Sequence, residues 1–360
     1  MKLAYMINAT GPAPKGQNVD VAKAWVAYTN AHGGVAGHPV DLEIKDTKAD
    51  APTGQTFANE LAKDPSVLGV MVLDPVGEST FIPTLVDQGL PVLGGVGSSQ
   101  KVWGVLPNVF AVATTPKTVA NGFVLAAQDA GAKGIGVAAC AEAEACSAGV
   151  PLFQAEANKL GIKFTGVVKL DLNATSYTAE CLQLMQNGTD FMLLAATAVA
   201  GIRLFNDCAQ QGYKGNLGAS VGAVTPDLYD GSPDIRLTGM IGAFPWWVDD
   251  APVKQFRDVM QAGGVDAKKY GSPNGTATYT SLELFKKALE SDSALPAEPT
   301  RADVLAAYGK LKDETLGGLL PKPLTFTPGQ PGPDVNCFWF YKYADGQFSG
   351  SFKPACDPDS

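Results

Sequence analysis

The sequence predicts an α/β protein made of two doubly wound parallel-sheet lobes. Short β-rich runs alternate with helical patterns along the chain, which requires parallel strands with helices on both faces. The length of 360 residues suits about two domains. A helix end, a short strand and a small-residue loop occur at 88–98 and again at 211–222, as expected for two similar units. A chance match of two glycine-rich turns is the alternative.

The predicted strands are short apolar runs between helices that have recognisable start and stop residues. They cover 2–8, 39–46, 67–73, 91–95, 108–113, 134–139, 163–171, 189–195, 215–219 and 236–242. Asn18 is predicted to cap the first helix, and Thr115-Pro116 to begin a later one. Glycines are predicted to end helices at Gly33, Gly89, Gly131, Gly161, Gly188 and Gly212. Ligands bind at the carboxyl ends of strands in such sheets, so the loops there are the first candidates for a site.

The C-terminal segment has a different pattern. A helix near 301–312 is followed by an alternating aromatic run at 337–343 and by the turn Ala344-Asp345-Gly346. Asp-Gly between two β-rich runs is a strong hairpin signal. We therefore predict a terminal hairpin added to one lobe, with its aromatic stripe in the core rather than on a ligand.

Charge excludes two classes of partner. The formal net charge is −9, the pI is near 4.8, and no run of Lys or Arg occurs. Nucleic acids and anionic membrane surfaces both require a basic footprint. No apolar stretch approaches the about 20 residues of a membrane helix, and Met1-Lys2 leads straight into a strand. The chain is therefore either cytoplasmic or exported with its signal peptide removed.

Six cysteines favour the exported alternative. They form three sequence-adjacent pairs without a CxxC spacing, and only two histidines are present, so a metal site is not expected. Six cysteines allow 15 connectivities. Our hypothesis is Cys140–Cys146, Cys181–Cys208 and Cys337–Cys356, which implies an oxidising compartment. Six buried reduced thiols are the alternative.

No catalytic constellation is found. His32 and His38 share a glycine-rich turn whose spacing fits no helical metal pair. A nucleophile elbow and a phosphate loop are absent, and Gly95-Val96-Gly97 lacks the third glycine of a dinucleotide fingerprint. We therefore expect no enzyme activity and no cofactor.

The chain resembles the type I periplasmic solute-binding proteins of ABC importers, the leucine/isoleucine/valine-binding family. The resemblance is carried by loose motifs in a characteristic order: Ala9–Pro12, Ala31–Val40, Asp64–Val70, Gly89–Leu93 and Ala174–Thr178. It implies two discontinuous lobes, 1–116 with 249–324 and 117–248 with 325–360, joined by a three-crossover hinge. It also implies that these lobes close around a ligand, as in other periplasmic binding proteins.

Family positions indicate candidate ligand-binding residues in both lobes. In the first lobe the loop Gly77-Glu78-Ser79-Thr80 starts a helix whose amides and hydroxyls suit an anionic or carbonyl oxygen. An ordinary helix cap is the alternative. The other candidates are Lys15, Gly97, Ser98, Ser99 and Tyr279 in the first lobe, and Glu142, Thr197, Val221, Gly222, Trp246 and Trp247 in the second. Core or hinge packing is an equal alternative for the aromatic ones.

The sequence departs from the amino-acid binders where those hold a substrate ammonium. Ser220-Val221-Gly222 replaces the acidic group after the short strand, and Glu144–Gly149 lacks the usual aromatic residue. A buried ammonium without a counter-charge costs several kcal/mol, so a free α-amino acid is disfavoured unless Glu142 or Glu144 turns inward.

The predicted function is that of a monomeric extracytoplasmic receptor. It would deliver a small solute to an ABC permease in the membrane. The solute is predicted to be largely apolar or aromatic, and in one version of the prediction it also carries a carboxylate. We expect the protein in the periplasm or at the outer face of the cell membrane. A lipid-anchored form, a lipoprotein, is one version of this expectation. The alternatives are a ligand sensor acting on a regulator, an amino-acid or amide binder, and a cytoplasmic Rossmann-like enzyme.

Overall fold

The chain folds into two compact units. The structure, a computed structural model, describes residues 1–11, 14–95, 97, 99, 101–142, 145–225 and 235–357. One unit comprises residues 1–115 and 249–336, and the other comprises 116–248 and 337–360. The chain therefore passes three times from one unit to the other.

Twelve strands and twelve helices are found in the described residues. The strands are β1 Lys2–Ile7, β2 Asp41–Asp46, β3 Val67–Leu73, β4 Val92–Gly95, β5 Gly134–Cys140, β6 Lys163–Leu170, β7 Phe191–Ala195, β8 Asn216–Ala219, β9 Leu237–Ile241, β10 Cys337–Ala344, β11 Gln347–Ser349 and β12 Ala355–Cys356. The helices are α1 Gln17–Ala31, α2 Ala51–Lys63, α3 Glu78–Asp87, α4 Pro116–Asp129, α5 Ala145–Ala148, α6 Val150–Lys159, α7 Thr178–Gln186, α8 Ala198–Gln210, α9 Ala251–Ala262, α10 Ala267–Tyr270, α11 Pro273–Glu290 and α12 Arg301–Lys310. A single 3-10 turn covers Leu316–Gly318.

The first unit contains a four-stranded parallel sheet in the order β2-β1-β3-β4. The central strands are apolar, and all seven residues of β3 are buried, as expected for a sheet covered on both faces; the edge strand β2 carries four charged residues and is only partly buried. α1 packs with α11, and α2 packs with α3. The predicted parallel α/β class is confirmed in this unit.

The second unit contains a mixed sheet in the order β6-β5-β7-β8-β9-β10-β11, with β12 also paired to β10. Strands β5 to β9 are parallel, whereas β10 and β11 form the predicted antiparallel hairpin. The hairpin turn uses Asp345 and Gly346 with φ of 53° and 77°, as a two-residue turn of this hand requires. Phe338, Trp339 and Tyr341 of the aromatic run are buried, which confirms their core role.

Three details differ from the sequence predictions. The predicted strand at 108–113 is wrong: only Val109 of this segment forms a bridge, to Val92, and Asn108 at its start adopts a φ of 58°, outside the extended region. Asn18 does not cap α1; it lies in the first turn, and its Nδ2 donates to the Lys15 carbonyl.

The third difference is at a lobe boundary. Residues 325–336, predicted in the second lobe, belong to the first unit. Pro331 bridges to Pro107, and the Gly329 amide donates to the Asn108 side chain at 2.7 Å. These contacts tie the segment to the first unit, whose residues lie far from it in sequence.

All six cysteines are paired, in the predicted connectivity. Cys140–Cys146 joins the end of β5 to α5, and Cys181–Cys208 joins α7 to α8. Cys337–Cys356 links β10 to β12, where the two residues are direct partners in the antiparallel register. Among the described residues, no helix combines the length and apolar character needed to span a membrane.

Candidate ligand-binding loops

The strand order places a switch point in each sheet. In the first unit β2 lies on one side of β1 and β3 on the other, so the strand order reverses between β1 and β3. In the second unit the same reversal falls between β5 and β7. Ligands of open α/β sheets bind outside the carboxyl ends of the strands at such points. The loops that follow β1, β3 and β4, and those that follow β5, β7 and β8, are therefore described first.

Buried polar side chains continue the ladder just beyond β2, β1 and β3. The Thr47 amide donates to the Ile7 carbonyl, and the Asn8 amide donates to the Leu73 carbonyl. Thr47, Asn8 and Asp74 are each at most 1% exposed. One Asp74 oxygen accepts the amides of Val76 and Gly77 at 3.1 and 3.0 Å, and this bonding fixes the turn that leads into α3.

The start of α3 presents uncommitted hydrogen-bond donors. Ser79 and Thr80 are exposed in its first turn. Within the described part of the chain, neither hydroxyl has a partner and the Ser79 amide has no acceptor. The first amides of a helix carry a partial positive charge. These groups suit an oxygen atom of a ligand.

Glu78, the first residue of α3, joins this turn to the loop after β4. It is 1% exposed, and its Oε1 accepts the Ser99 amide at 2.6 Å. The Ser99 hydroxyl in turn accepts the Lys101 amide at 3.2 Å. The Ser99 amide, predicted to face a ligand, is therefore occupied within the protein.

Gly97 lies against the ring of Trp103, where an added Cβ would be 2.9 Å from the indole. Ser98, the third predicted residue of this loop, lies outside the described residues. A side chain at position 97 would displace Trp103, which is 3% exposed. Close packing, rather than a demonstrated ligand contact, explains this glycine.

Lys15 lies in the loop after β1, where its amide donates to the Asn8 carbonyl at 2.8 Å. Only 9% of the residue is exposed. Burial lowers the pKa of its ammonium group to about 8, because the charged form loses hydration. A buried lysine at the carboxyl edge of the sheet is unusual for a solvated loop and keeps Lys15 as a candidate.

Four of the residues predicted in the second unit follow strands β5, β7 and β8. Glu142 Oε1 accepts the Leu172 amide at 2.5 Å, so its carboxylate joins the loops after β5 and β6. Thr197 caps α8 by accepting the Ala200 amide at 3.2 Å. Val221 and Gly222 lie in the turn after β8, and Val221 packs on the unit's hydrophobic core.

The predicted aromatic residues pack within their own units. Trp247 stacks on Phe348 of the hairpin with ring centroids 4.9 Å apart, and Trp246 meets the same ring edge-on at 5.0 Å. Tyr279, 1% exposed in α11, packs edge-on against Phe256 at 4.9 Å. Each contact supports the packing alternative for these rings, and a ligand role for them stays a prediction.

Sequence reasoning missed Asp74 and three exposed valines. Val76 and Val105 are 43% and 54% exposed in the segments that follow β3 and β4, and Val199 is 58% exposed in the first turn of α8, after β7. A single polar residue directly after an apolar strand, such as Asp74 after β3, was the available signal. Single valines outside an apolar run give no signal in the sequence, because their exposure depends on the fold. No group of three or more metal-ligating side chains occurs among the described residues.

The chain belongs to the periplasmic binding protein family, whose model matches residues 1–347. This match confirms the resemblance stated from the motifs. The family consists of solute-binding proteins, not enzymes, and implies an extracytoplasmic location. A comparison with curated protein sequences gives no significant match.

Solved structures share the fold at low sequence identity. A branched-chain amino acid ABC transporter protein from Thermus thermophilus with bound valine has a TM-score of 0.81 and 14% identity, over 99% of this chain and 97% of that one. A fatty acid ABC transporter substrate-binding protein from Thermomonospora curvata has a TM-score of 0.78 and 17% identity, over 99% and 92%. A leucine-binding protein from Thermotoga maritima has a TM-score of 0.77 and 16% identity, over 100% and 99%. At these identities the likeness establishes the fold alone.

Proposed function

We propose that the chain is the extracytoplasmic solute-binding protein of an ABC importer. Its ligand is a small, largely apolar or aromatic molecule with a carbonyl or carboxylate oxygen at its polar end. One observation carries this proposal: the Ser79 amide and the Ser79 and Thr80 hydroxyls are exposed at the start of α3 without partners among the described residues. Such donors beside a sheet switch point fix the polar end of a ligand.

The apolar character of the ligand is supported by the exposed valines. Val76 lies one residue before Gly77 in the turn that leads to Ser79, and Val105 lies in the segment after the Ser99 loop. Covering apolar surface gains about 25 cal/mol per Å². Sites for small ligands combine such surface with a few polar groups, as here.

A free α-amino acid remains disfavoured. Its ammonium would need a counter-charge, and Ser220-Val221-Gly222 offers none in the loop after β8. Glu142 is the acidic candidate in the loop after β5, and its Oε1 already accepts the Leu172 amide. The relatives that bind branched-chain amino acids therefore share the fold of this chain without predicting its ligand.

The remaining predictions concern the biology of the protein. Closure of the lobes on the ligand is implied by the family and stays a prediction; ligand would stabilise the closed form only by differential contacts. The three disulfides support export to an oxidising compartment. A removed signal peptide, an alternative lipid anchor, a monomeric state and a permease partner belong to the same proposal.

A thermal-shift screen of the oxidised protein tests the proposal. The panel contains aromatic acids, amides, sterol-like acids and ordinary amino acids, and hits are measured by titration calorimetry. We expect apolar or aromatic compounds to raise the melting temperature and to be recovered unchanged. A response to ordinary amino acids alone, or turnover of any hit, would contradict the proposal.

A further inference from the structure

We infer that Asn274, in the first turn of α11, is a further ligand-binding residue that contacts a hydroxyl or amide group of the ligand. This inference rests on the proposed function and deepens it. The ligand then carries two polar groups: the carbonyl or carboxylate oxygen at the start of α3, and a second group that both donates and accepts hydrogen bonds at the start of α11.

The first turn of α11 lies at the carboxyl edge of the four-stranded sheet. In the middle of the helix, Ser281 packs so closely on β4 that a Cβ at Gly94 would lie 2.3 Å from the Ser281 hydroxyl oxygen. After the helix ends, Arg301 donates to the carbonyl of Val67, the first residue of β3. α11 therefore runs from the carboxyl edge of the sheet towards its amino edge, and it starts at the edge where ligands of such sheets bind.

Asn274 lies on the face of α11 that is turned towards the strand ends. Ala277 and Thr278 line a small cavity together with Leu73 and Gly95, the last residues of β3 and β4. Asn274 precedes the two helix residues by three and four positions, so it shares their face of the helix. At a rise of about 1.5 Å per residue it lies about 5 Å nearer the start of α11, at the carboxyl ends of the strands.

The Asn274 side chain is buried without a partner among the described residues. It is 3% exposed, and neither its carboxamide nor its main-chain amide makes a hydrogen bond in this part of the chain. Three other buried asparagines each make at least one side-chain hydrogen bond within the protein: Asn18, Asn121 and Asn336. Buried polar groups without a partner are costly and rare in folded proteins, so this carboxamide is expected to have a partner outside the chain.

Packing does not account for this residue as it does for the other polar side chains of α11. Four buried hydroxyls that follow it in the helix are all hydrogen-bonded: three donate to carbonyls of the preceding turn, and one pairs with the Tyr5 hydroxyl. They are Thr276, Thr280, Ser281 and Thr278, respectively. These hydroxyls are used within the protein, and the Asn274 carboxamide is not.

The start of α11 also leaves a main-chain donor beside the Asn274 side chain. Pro273 has no N–H, the Gly275 amide donates to the Ser272 hydroxyl at 3.1 Å, and the Thr276 amide donates to the Ser272 carbonyl at 3.1 Å. The Asn274 amide has no acceptor among the described residues, and it lies at the positive end of an 18-residue helix.

The chemistry of these groups determines the class of ligand group. The carboxamide of Asn274 supplies two N–H donors and one acceptor oxygen, and the main chain adds a third donor. A hydroxyl or an amide can donate to Oδ1 and accept from an N–H at the same time. A carboxylate would accept from the donors but leave Oδ1 without a partner, so the second polar group of the ligand is uncharged.

The test uses pairs of probes that differ by one hydroxyl group. They are phenylacetate with para-hydroxyphenylacetate, benzoate with para-hydroxybenzoate and hexanoate with ω-hydroxyhexanoate, each also as its methyl ester. The best hit of the screen is included with analogues that gain or lose one hydroxyl. Both members of a pair carry the same carbonyl or carboxylate group, so the ratio of their affinities isolates the hydroxyl. All are titrated by calorimetry into wild type, Asn274→Leu, Asn274→Asp and the control Asn59→Leu, since Asn59 is exposed in α2 of the same unit.

We expect wild type to bind the hydroxylated member of at least one pair about threefold or more tightly than its parent, as one hydrogen bond contributes. Asn274→Leu should lose this preference, because leucine has the same size and no polar atom. Asn274→Asp keeps an acceptor oxygen and should keep the preference, and Asn59→Leu should leave the ratio unchanged. The melting temperature of ligand-free Asn274→Leu should equal or exceed that of wild type, because no hydrogen bond within the protein is removed.

Several results would overturn the inference. They are the absence of a hydroxyl preference in wild type, a preference that persists unchanged in Asn274→Leu, or a clear fall in the melting temperature or loss of folding of Asn274→Leu, which would indicate a structural role. Each of these results, obtained with a protein that binds a solute of the screen, would refute the inference alone. Failure of wild type to bind any member of the screen would refute the proposed function and the inference with it.

Discussion

The Glu78 carboxylate and the Ser99 backbone amide lie 2.6 Å apart, and this hydrogen bond joins the loop after β3 to the loop after β4. Neighbouring parallel strands bring these loops to one edge of the sheet. The buried carboxylate therefore holds one candidate loop against the other. The donors at Ser79 and Thr80 remain outside this bond and are open to a ligand.

Removing the Ser79 or Thr80 hydroxyl should weaken ligand binding without affecting the stability of the free protein. We expect Ser79→Ala and Thr80→Ala each to reduce affinity about two- to tenfold, since a hydrogen bond contributes about 0.5–1.5 kcal/mol. The melting temperature of the free protein should be unchanged, because both residues are exposed and their hydroxyls have no partner in the described residues. Calorimetric titration of the best hit checks this, with Ser293→Ala, an exposed loop serine, as control. Unchanged affinity in both variants would exclude the start of α3 as the polar end of the site.

Arg301 should contribute strongly to stability. Its guanidinium donates to the backbone carbonyls of Leu61, Ala62, Asp64 and Val67, at the C-terminal end of α2 and the start of β3. Hydrogen bonds to charged groups contribute about 1.5–3 kcal/mol, and the Leu61 and Ala62 carbonyls lie in the last turn of α2, where the regular helical donors end. We expect Arg301→Ala to lower the free energy of unfolding by about 2–4 kcal/mol in urea denaturation.

Arg301→Lys should be intermediate, because an ammonium cannot reproduce the planar fork. Arg236→Ala is the matched control: that side chain is 78% exposed and pairs with Asp345 only at 3.8 Å. If Arg236→Ala lowered the free energy of unfolding as much as Arg301→Ala does, the contacts of Arg301 with the backbone carbonyls would not be the cause of the destabilisation.

Burial of the Lys15 ammonium should lower the free energy of unfolding by an amount that depends on pH. Its pKa is about 8 in the folded protein and about 10.5 when unfolded, so the unfolded chain binds more protons between these values. The free energy of unfolding of the wild type therefore rises with pH between about 8 and about 10.5 as far as this group is concerned. Below pH 8 the ammonium is buried in its charged form, and the full cost of that burial lowers the free energy of unfolding. We expect Lys15→Met to stabilise the protein at pH 7 by up to about 3 kcal/mol, and this gain to vanish by about pH 10.5.

Denaturation of wild type and Lys15→Met across pH 6–10.5 measures the difference. Lys101→Met, an exposed lysine after the Ser99 loop, is the control and should show no such trend. A gain that grows with pH would have the wrong sign for a buried ammonium. If Lys15 also contacts ligand, Lys15→Met should weaken binding at pH 7 while stabilising the free protein.

The disulfides should differ in their effect on stability. Cys181–Cys208 closes a separation of 27 residues between two helices, and Cys140–Cys146 closes only 6. Loop-closure entropy gives about 3–4 kcal/mol for the first and about 2 kcal/mol for the second. Double serine variants compared by thermal and urea unfolding check this order. Non-reducing peptide mapping should recover the three linked pairs, and free thiols in the native protein would contradict the pairing.

Much of the architecture was determined by local sequence patterns. Apolar runs such as Val67–Leu73 can be recognised because buried parallel strands require apolar residues on both faces. The pair Asp345-Gly346 predicts the C-terminal hairpin, because few other residue pairs adopt positive φ angles at two successive positions. Sequence-adjacent cysteines indicated the three disulfides, and the order of loose motifs indicated the family.

Only the tertiary structure decided how the candidate residues are used. Glu78 and Ser99 are 21 positions apart, and nothing local shows that the carboxylate takes the amide predicted to face a ligand. Burial of Lys15 and packing of Trp247 on Phe348, which is 101 positions away (348 − 247), likewise depend on segments brought together from a distance. Hydrogen-bond partners and burial are properties of the folded arrangement. The sequence therefore defines which groups are present at the strand ends, and the fold determines which of them are free to bind.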